Sequence, residues 1–244
     1  MHRFYCVSQN ISGDKITISD KKEIHHIKDV LRLKVKEKVA LFDDSGNEYT
    51  AEIEKIIPQS ISFKIKKRGV FSAAKKMRLT VACAIPKKAK MDEIVDKLTQ
   101  LGVDRITPLK TERVVVKLDK QKEALRLVRW KKIALSAAEQ SQRSNVPDIE
   151  PPKDIKEVVS QTAGYDLKII PTLIGERKNL KEIFARTNPK NILVLIGPEG
   201  DFTQEEVELA IKEGFVPVSF GKEVLRVDTA AIAVASFIKL YAQS

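Results

Sequence analysis

The chain has 244 residues, enough for one large domain or two ordinary ones. Hydrophobic residues make up 43% and charged residues 32%, with only 10 Gly and 10 Pro, which excludes collagen-like, low-complexity and wholly disordered classes. Lysine and arginine outnumber the acids 44 to 33, and a net charge of +11 points to a polyanionic partner.

Residues 1 to about 70 carry short alternating stretches at Lys15–Ile18, Val39–Phe42, Tyr49–Ile57 and Ile61–Ile65, punctuated by the turn-forming cluster Asp44-Ser45-Gly46-Asn47. They predict a small β-barrel interrupted by one helix, with Ile24, Ile27, Val30 and Leu31 on its apolar face. Arg68–Arg78, with Gly69, Ser72 and several basic residues, reads as a linker. Apolar strands then alternate with helices: a strand at Leu79–Ile85, a helix at Met91–Leu101, a strand at Ile106–Leu109 and a helix at Gln121–Ser141. Strands follow at Leu167–Pro171, Ile192–Ile196 and Val216–Phe220, with the last helices near 204–213 and 229–241. Such alternation predicts a parallel α/β sheet.

The longest charge-free apolar stretch, Thr229–Ile238, is well short of the roughly 18 residues of a membrane span, and the N-terminus lacks the apolar run of a signal peptide. A cytoplasmic protein with no membrane partner is expected. Cys6 and Cys83 lie far apart with no Cys or His at ligand spacing, which argues against a disulfide framework and against a metal site. From Lys64 to Lys90 there are ten basic residues and no acidic one. Such a block either neutralises nucleic-acid phosphates or solubilises a surface; with few aromatics beside it, structured RNA suits it better than a single-strand stacking platform.

The strand Asn191–Ile196 runs straight into Gly197-Pro198-Glu199-Gly200, and Thr203 with Glu206 predicts a capping box for the next helix. A glycine-bearing loop at the carboxyl end of a parallel strand is where α/β sheets bind ligands, although the spacing fits neither a dinucleotide fingerprint nor a P-loop, and a plain turn stays open. A second unit follows, with Gly221 opening a loop through Val224-Leu225-Arg226-Val227-Asp228-Thr229 into a helix rich in alanine, which suits either tight internal packing or a dimer face.

Gly197-Pro198-Glu199-Gly200 with Phe202-Thr203, followed by Gly221 and by Val224-Leu225-Arg226 with Asp228-Thr229-Ala230, resembles the bacterial small-subunit (16S) ribosomal RNA uridine-N3 methyltransferases, of the SPOUT class. Further matches run along nearly the whole chain: Arg3-Phe4-Tyr5, His25-His26-Ile27 with Val30-Leu31-Arg32, Lys90-Met91, Leu101-Gly102-Val103, Thr111-Glu112-Arg113 with Val115-Val116-Lys117, and Ala138-Glu139-Gln140-Ser141 with Arg143 and Val146-Pro147. The chain departs from the family at Asp201, where a second Gly is usual, at Glu223 for Arg, at Asp228 for Glu and at Gln100 for Glu.

The resemblance implies an α/β protein with an N-terminal PUA/OB-like RNA-binding β-barrel over 1–72 and a C-terminal SPOUT domain with a deep trefoil knot over 73–244. It implies S-adenosyl-L-methionine as cofactor, held by Pro171, Thr172 and Leu173, by Ile196, Gly197, Pro198, Glu199 and Gly200, and by Phe220, Gly221, Val224, Leu225, Arg226, Thr229 and Ala230. Methyl transfer to N3 of one uridine near the decoding centre follows, on small-subunit ribosomal RNA or the assembled 30S subunit, by a homodimer packed through its knotted domains. Arg226 would stabilise the uracil oxyanion, or would merely pair with Asp228 or Glu199. Glu139 and Arg143, four apart on an expected helix face, would contact the uridine or a phosphate, or form an ordinary ion pair. The general base stays open among Glu199, Asp228, Glu139 and solvent. RNA contacts are implied for Arg3, Lys28, Arg32, Lys66, Lys67, Arg68, Lys87, Lys88, Lys90 and Arg113, while His25 and His26 would help the barrel's helix pack. The competing readings are a non-catalytic ribosomal RNA-binding assembly module and a SPOUT methyltransferase with another RNA target.

Overall fold

The structure, a computed structural model, describes residues 1–70, 77–86, 90–113, 119–143 and 145–242. Two compact units emerge, one of Met1–Ala73 with Ala138–Val146, the other of Ala74–Ala137 with Pro147–Ser244. The segment 138–146, expected in the C-terminal domain, thus groups with the first unit. The expected junction near 72 lies outside the described residues, as do Lys87, Lys88 and Val115–Lys117.

The first unit is one mixed six-stranded sheet. Its strands are β1 (Arg3–Cys6), β2 (Ile11–Ser12), β3 (Lys15–Ile18), β4 (Lys38–Asp43), β5 (Asn47–Ile57) and β6 (Ser60–Val70), in the order β1-β4-β5-β6-β3-β2. Alternation explains the register: Val39 and Leu41, Tyr49, Ala51 and Ile53, and Ile61 and Phe63 all point into one core. The β4–β5 turn is organised by the buried Asp43 carboxylate, which accepts from Ser45 N, Asn47 N, Asn47 Nδ2 and the Tyr49 hydroxyl at 2.8–3.1 Å. β6 continues through Arg68 to Val70 against Asn47–Tyr49, so the start of the expected linker is strand. Helix α1 (Lys21–His25), capped by Asp20, widens into a π turn over His26–Val30. The wider turn rotates Val30 out of the expected apolar face and leaves it 60% exposed. His25 and His26 are both exposed, His25 pairing with Asp29 and His26 meeting the Phe4 ring edge-on, so neither is packed into the core.

The second unit is built on a parallel sheet. Its strands are β7 (Arg78–Ala84), β8 (Arg105–Lys110), β9 (Asp148–Ile149), β10 (Lys153–Asp154), β11 (Leu167–Pro171), β12 (Lys178–Asn179), β13 (Asn191–Ile196) and β14 (Val216–Ser219). The order is β10-β8-β7-β13-β11-β14-β12, with β9 also on β8. Near-continuous apolar runs such as Leu79–Ala84 and Ile192–Ile196 are buried, as strands covered on both faces require. The helices are α2 (Lys90–Gln100), α3 (Lys120–Gln140), whose end from Ala138 on groups with the first unit, α4 (Ile155–Ser160), α5 (Leu180–Arg186), α6 (Gln204–Lys212) and α7 (Val227–Tyr241). α2 packs on α7, its Met91, Ile94, Val95 and Leu98 buried, whereas α4 and α6 meet in a separate core with Phe202, Val207 and Ala210. Among the described residues no helix is long and apolar enough to cross a membrane.

Candidate active site

β13, β11 and β14 are neighbours and parallel, so their carboxyl ends open onto one edge of the sheet, where α/β proteins bind ligands. There the loops after the three strands enclose a cavity of about 290 Å³. It is lined by Pro171–Leu173 and Arg177, by Ile196–Asp201, by Val218–Gly221 and Glu223–Leu225, and by Val227 and Ala230 on the first turn of α7. Of the residues expected to hold the cofactor, only Arg226 and Thr229 lie outside this lining.

Close packing shapes the β13 loop. A Cβ at Gly197 would stand 3.1 Å from two ring carbons of Phe202 and 3.3 Å from Asp201 Oδ1, so any side chain there forces the ring or the loop to give by a few tenths of an ångström. Asp201 holds a left-handed φ of 59°; its Oδ2 accepts from Thr172 Oγ1 at 2.9 Å and from the Leu173 N–H at 2.7 Å, and its Oδ1 accepts from the Phe202 N–H at 2.8 Å. Arg113 Nη1 donates to the carbonyls of Gly200 at 2.6 Å and Phe202 at 3.3 Å, so this expected RNA contact supports the cavity loop. The capping box forms as expected: Thr203 N donates to Glu206 Oε2 at 2.9 Å and Glu206 N to Thr203 Oγ1 at 3.2 Å. The other Glu206 oxygen accepts from Glu112 N at 2.9 Å. Thr203→Ala removes the cap and is expected to cost about 1 kcal/mol, lowering Tm by roughly 2–4 °C in a thermal melt. In the third loop Gly221 adopts φ 126°, a conformation that side chains rarely take, and bonds back to Ser219 Oγ.

The charged groups around the cavity differ from several expectations. Glu199, Asp201 and Glu223 line it together with Arg177. Arg226 caps the start of α7 as an exposed residue and makes no ion pair with a described residue; Asp228 instead pairs with Lys90 at 3.4 Å, its Oδ1 buried without a hydrogen-bond partner. Lys90, expected on RNA, is thereby engaged in the α2–α7 packing. Gln100 donates to Asp96, one helical turn back. Burial, with Asp228 and Glu199 adding to it, pushes the Cys83 thiol far up; Cys6 is pushed up to about 12, chiefly by burial, so neither is a nucleophile at neutral pH. The described residues hold no cluster of metal-ligating side chains.

Glu139 and Arg143 belong to the first unit and do not line the cavity. α3 ends at Gln140 and Gln142 turns left-handed at φ 57°, so the expected helical i,i+4 pairing is replaced by a turn in which Arg143 N bonds the Ala138 carbonyl. Glu139 accepts from the Tyr5 N–H at 3.0 Å, and burial, with the Glu23 charge adding to it, raises its carboxyl to about 7. Arg3 is largely buried, pairs with Glu48 at 2.6 Å and lies over the Phe42 ring. Lys28, Arg32, Lys67 and Arg68 are exposed; Arg68 reaches the Gly13 carbonyl, and Lys66 pairs with Glu52 at 3.3 Å.

Sequence reasoning did not assign Arg177, Asp201, Val218 or Ser219 to the cavity, and reached Glu223 and Val227 only as part of the loop from Phe220 to Ala230. Val218 and Ser219 end a strand whose carboxyl terminus was already expected to face ligand, and Val227 stands three before Ala230 on the same helix face, so both signals were present in the spacing. Asp201 and Glu223 were marked as departures in charge; nothing in the local pattern marks Arg177.

A sequence profile of the RNA methyltransferase domain matches residues 73–239, and one of the RNA methyltransferase PUA domain matches 13–66. The chain is 30% identical to the ribosomal RNA small subunit methyltransferase E of Rickettsia conorii over 98% of its own length and 95% of that protein's. It is 28% identical to the enzyme of that name from Bacillus subtilis, over 89% and 87%. Its fold is similar to a crystal structure of a ribosomal RNA small subunit methyltransferase E from Neisseria gonorrhoeae bound to S-adenosyl methionine, with TM-score 0.87, 30% identity and coverage of 98% and 97%. With a PUA domain preceding a methyltransferase domain in which β11, β13 and β14 end at a cavity, the chain belongs to the ribosomal RNA small subunit methyltransferase E family.

Proposed function

We propose that this methyltransferase uses S-adenosylmethionine to methylate N3 of one uridine of small-subunit ribosomal RNA, near the decoding centre and on the assembled 30S subunit. The observation that carries the reading is the cavity at the ends of β11, β13 and β14. At about 290 Å³ it is close to the roughly 300–1,000 Å³ of small-molecule sites, and its walls combine apolar side chains with backbone amides and carbonyls that suit an adenine edge. Glu199 and Glu223 on those walls complement a donor that carries positive charge.

When bound, the cofactor supplies an already activated methyl group. The protein's own task is alignment: Gly197–Gly200 and Phe220–Leu225 orient the donor, and the acceptor nitrogen must stand in line with it and lose its proton. Arg226, exposed at the start of α7 and without an ion-pair partner among the described residues, is proposed to stabilise negative charge on the uracil oxygen. Glu139, whose carboxyl titrates near 7, and Arg143 are proposed to meet the target nucleotide, together with the basic residues Lys28, Arg32, Lys66, Lys67 and Arg68 on the first unit. The target base must leave its stack to be reached.

The same reading takes residues 1–72 as the RNA-binding domain and 73–244 as a catalytic domain knotted through its C-terminal loops, acting as a homodimer in the cytoplasm, where ribosomes are modified. The exposed Leu240 and Tyr241 near the end of α7 suit the proposed dimer face. Incubating the protein with labelled S-adenosylmethionine and small subunits that lack the modification is expected to place label at N3 of one uridine, mapped by mass spectrometry. Subunit binding with no label anywhere would replace the enzyme by a binding module.

A further inference from the structure

We propose that the Asp201 carboxylate is a positioning group that clasps two of the three cavity loops together and thereby sets donor affinity. The inference rests on the reading of the cavity as the S-adenosylmethionine site. Asp201 stands in the loop after β13, yet one of its oxygens takes both the Thr172 hydroxyl and the Leu173 N–H, from the loop after β11, 28 and 29 residues away in sequence. Its other oxygen takes the Phe202 N–H, which fixes the carboxylate's orientation. The clasp extends further, because Thr172 Oγ1 also accepts from Ile174 N at 3.1 Å. Three bonds of 2.7–2.9 Å to one carboxylate are short and of the strong kind.

The backbone shows what the clasp displaces. At φ 59° glycine would be at ease, whereas a side chain there is tolerated chiefly in Asn and Asp. Glycine, the residue usual at this place in the resembling family, carries no acceptor, so in this chain backbone ease is exchanged for a tie between the loops. Arg113 braces the β13 loop through the Gly200 and Phe202 carbonyls, but it has no bond to the β11 loop.

The test compares the parent chain with Asp201→Gly and Asp201→Asn. Calorimetric titration with S-adenosylmethionine is expected to show binding about tenfold weaker in Asp201→Gly, while glycine's relief of the left-handed backbone offsets only part of the stability lost with the tie. The Leu173 amide of the donor-free chain is expected to exchange faster with solvent. Asp201→Asn tolerates the same φ and keeps one acceptor, so it is expected to recover part of the affinity. Donor affinity in Asp201→Gly within twofold of the parent's, with Leu173 exchange unchanged, overturns the proposal. A parent chain that does not bind S-adenosylmethionine overturns the donor-site reading and its affinity role for Asp201, while Leu173 exchange still decides separately whether the carboxylate ties the loops.

Discussion

Valine in place of Gly197 is expected to weaken S-adenosylmethionine binding by roughly five- to a hundredfold and to reduce methyl transfer in proportion at sub-saturating donor. The first added atom would stand 3.1 Å from the Phe202 ring, which is fully buried in the core with Val207 and Ala210 and has nowhere to retreat. The loop backbone that lines the cavity must then shift. Overpacking of this kind costs about 1–3 kcal/mol, and where that strain falls on the donor-bound loop it weakens affinity by roughly five- to a hundredfold. Because the change is confined to a loop, far-UV circular dichroism is expected to stay that of the parent. A valine variant that binds donor as tightly as the parent would show that the cavity is not the donor site.

How much of this was legible in the sequence depends on the range of the interaction. Buried parallel strands such as Leu167–Pro171 and Asn191–Ile196 are continuous apolar runs, and the capping box of α6 is written within four residues, so both could be placed from the chain alone. Short elements could not: β1, β2, α4 and α5 take their form from neighbours distant in sequence, β1 by pairing with β4 and α4 by packing on α6. Val30 matched helical spacing, but the π turn that turns it outward has no periodic signature. At the site, glycines and strand ends marked the cavity loops, whereas the tie made by Asp201 spans 29 residues and showed in the sequence only as a departure from the family's second Gly. Arg113 shows the converse. A basic residue in a motif invites assignment to RNA, yet its donors are taken up by two carbonyls of the cavity loop.

Glutamine at position 139 is expected to make the protein more stable above neutral pH and to leave it unchanged in acid. Glu139 receives one backbone N–H from Tyr5, but burial and the nearby Glu23 charge outweigh that bond and lift its carboxyl from 4.5 to about 7. Glu23 is raised as well, chiefly by burial, with His26 opposing, and its buried Oε2 has no hydrogen-bond partner. The folded state therefore holds the Glu139 proton more tightly than the unfolded chain does. Below pH 4.5 both states are protonated and nothing is lost; between 4.5 and about 7 stability falls as pH rises; above 7 the full loss is present. For a half-buried group screened by solvent the loss is on the order of 2 kcal/mol. Glutamine is neutral at every pH and keeps an oxygen for the Tyr5 N–H, so urea midpoints of the two chains are expected to coincide at pH 4 and to separate in the variant's favour at pH 8. Equal midpoints at pH 8 would mean that Glu139 ionises without penalty. The same substitution addresses catalysis: a group kept half-protonated near neutrality at some expense of stability has a reason to be there if it exchanges a proton with substrate. Loss of methyl transfer in a variant that is more stable than its parent would separate that role from folding.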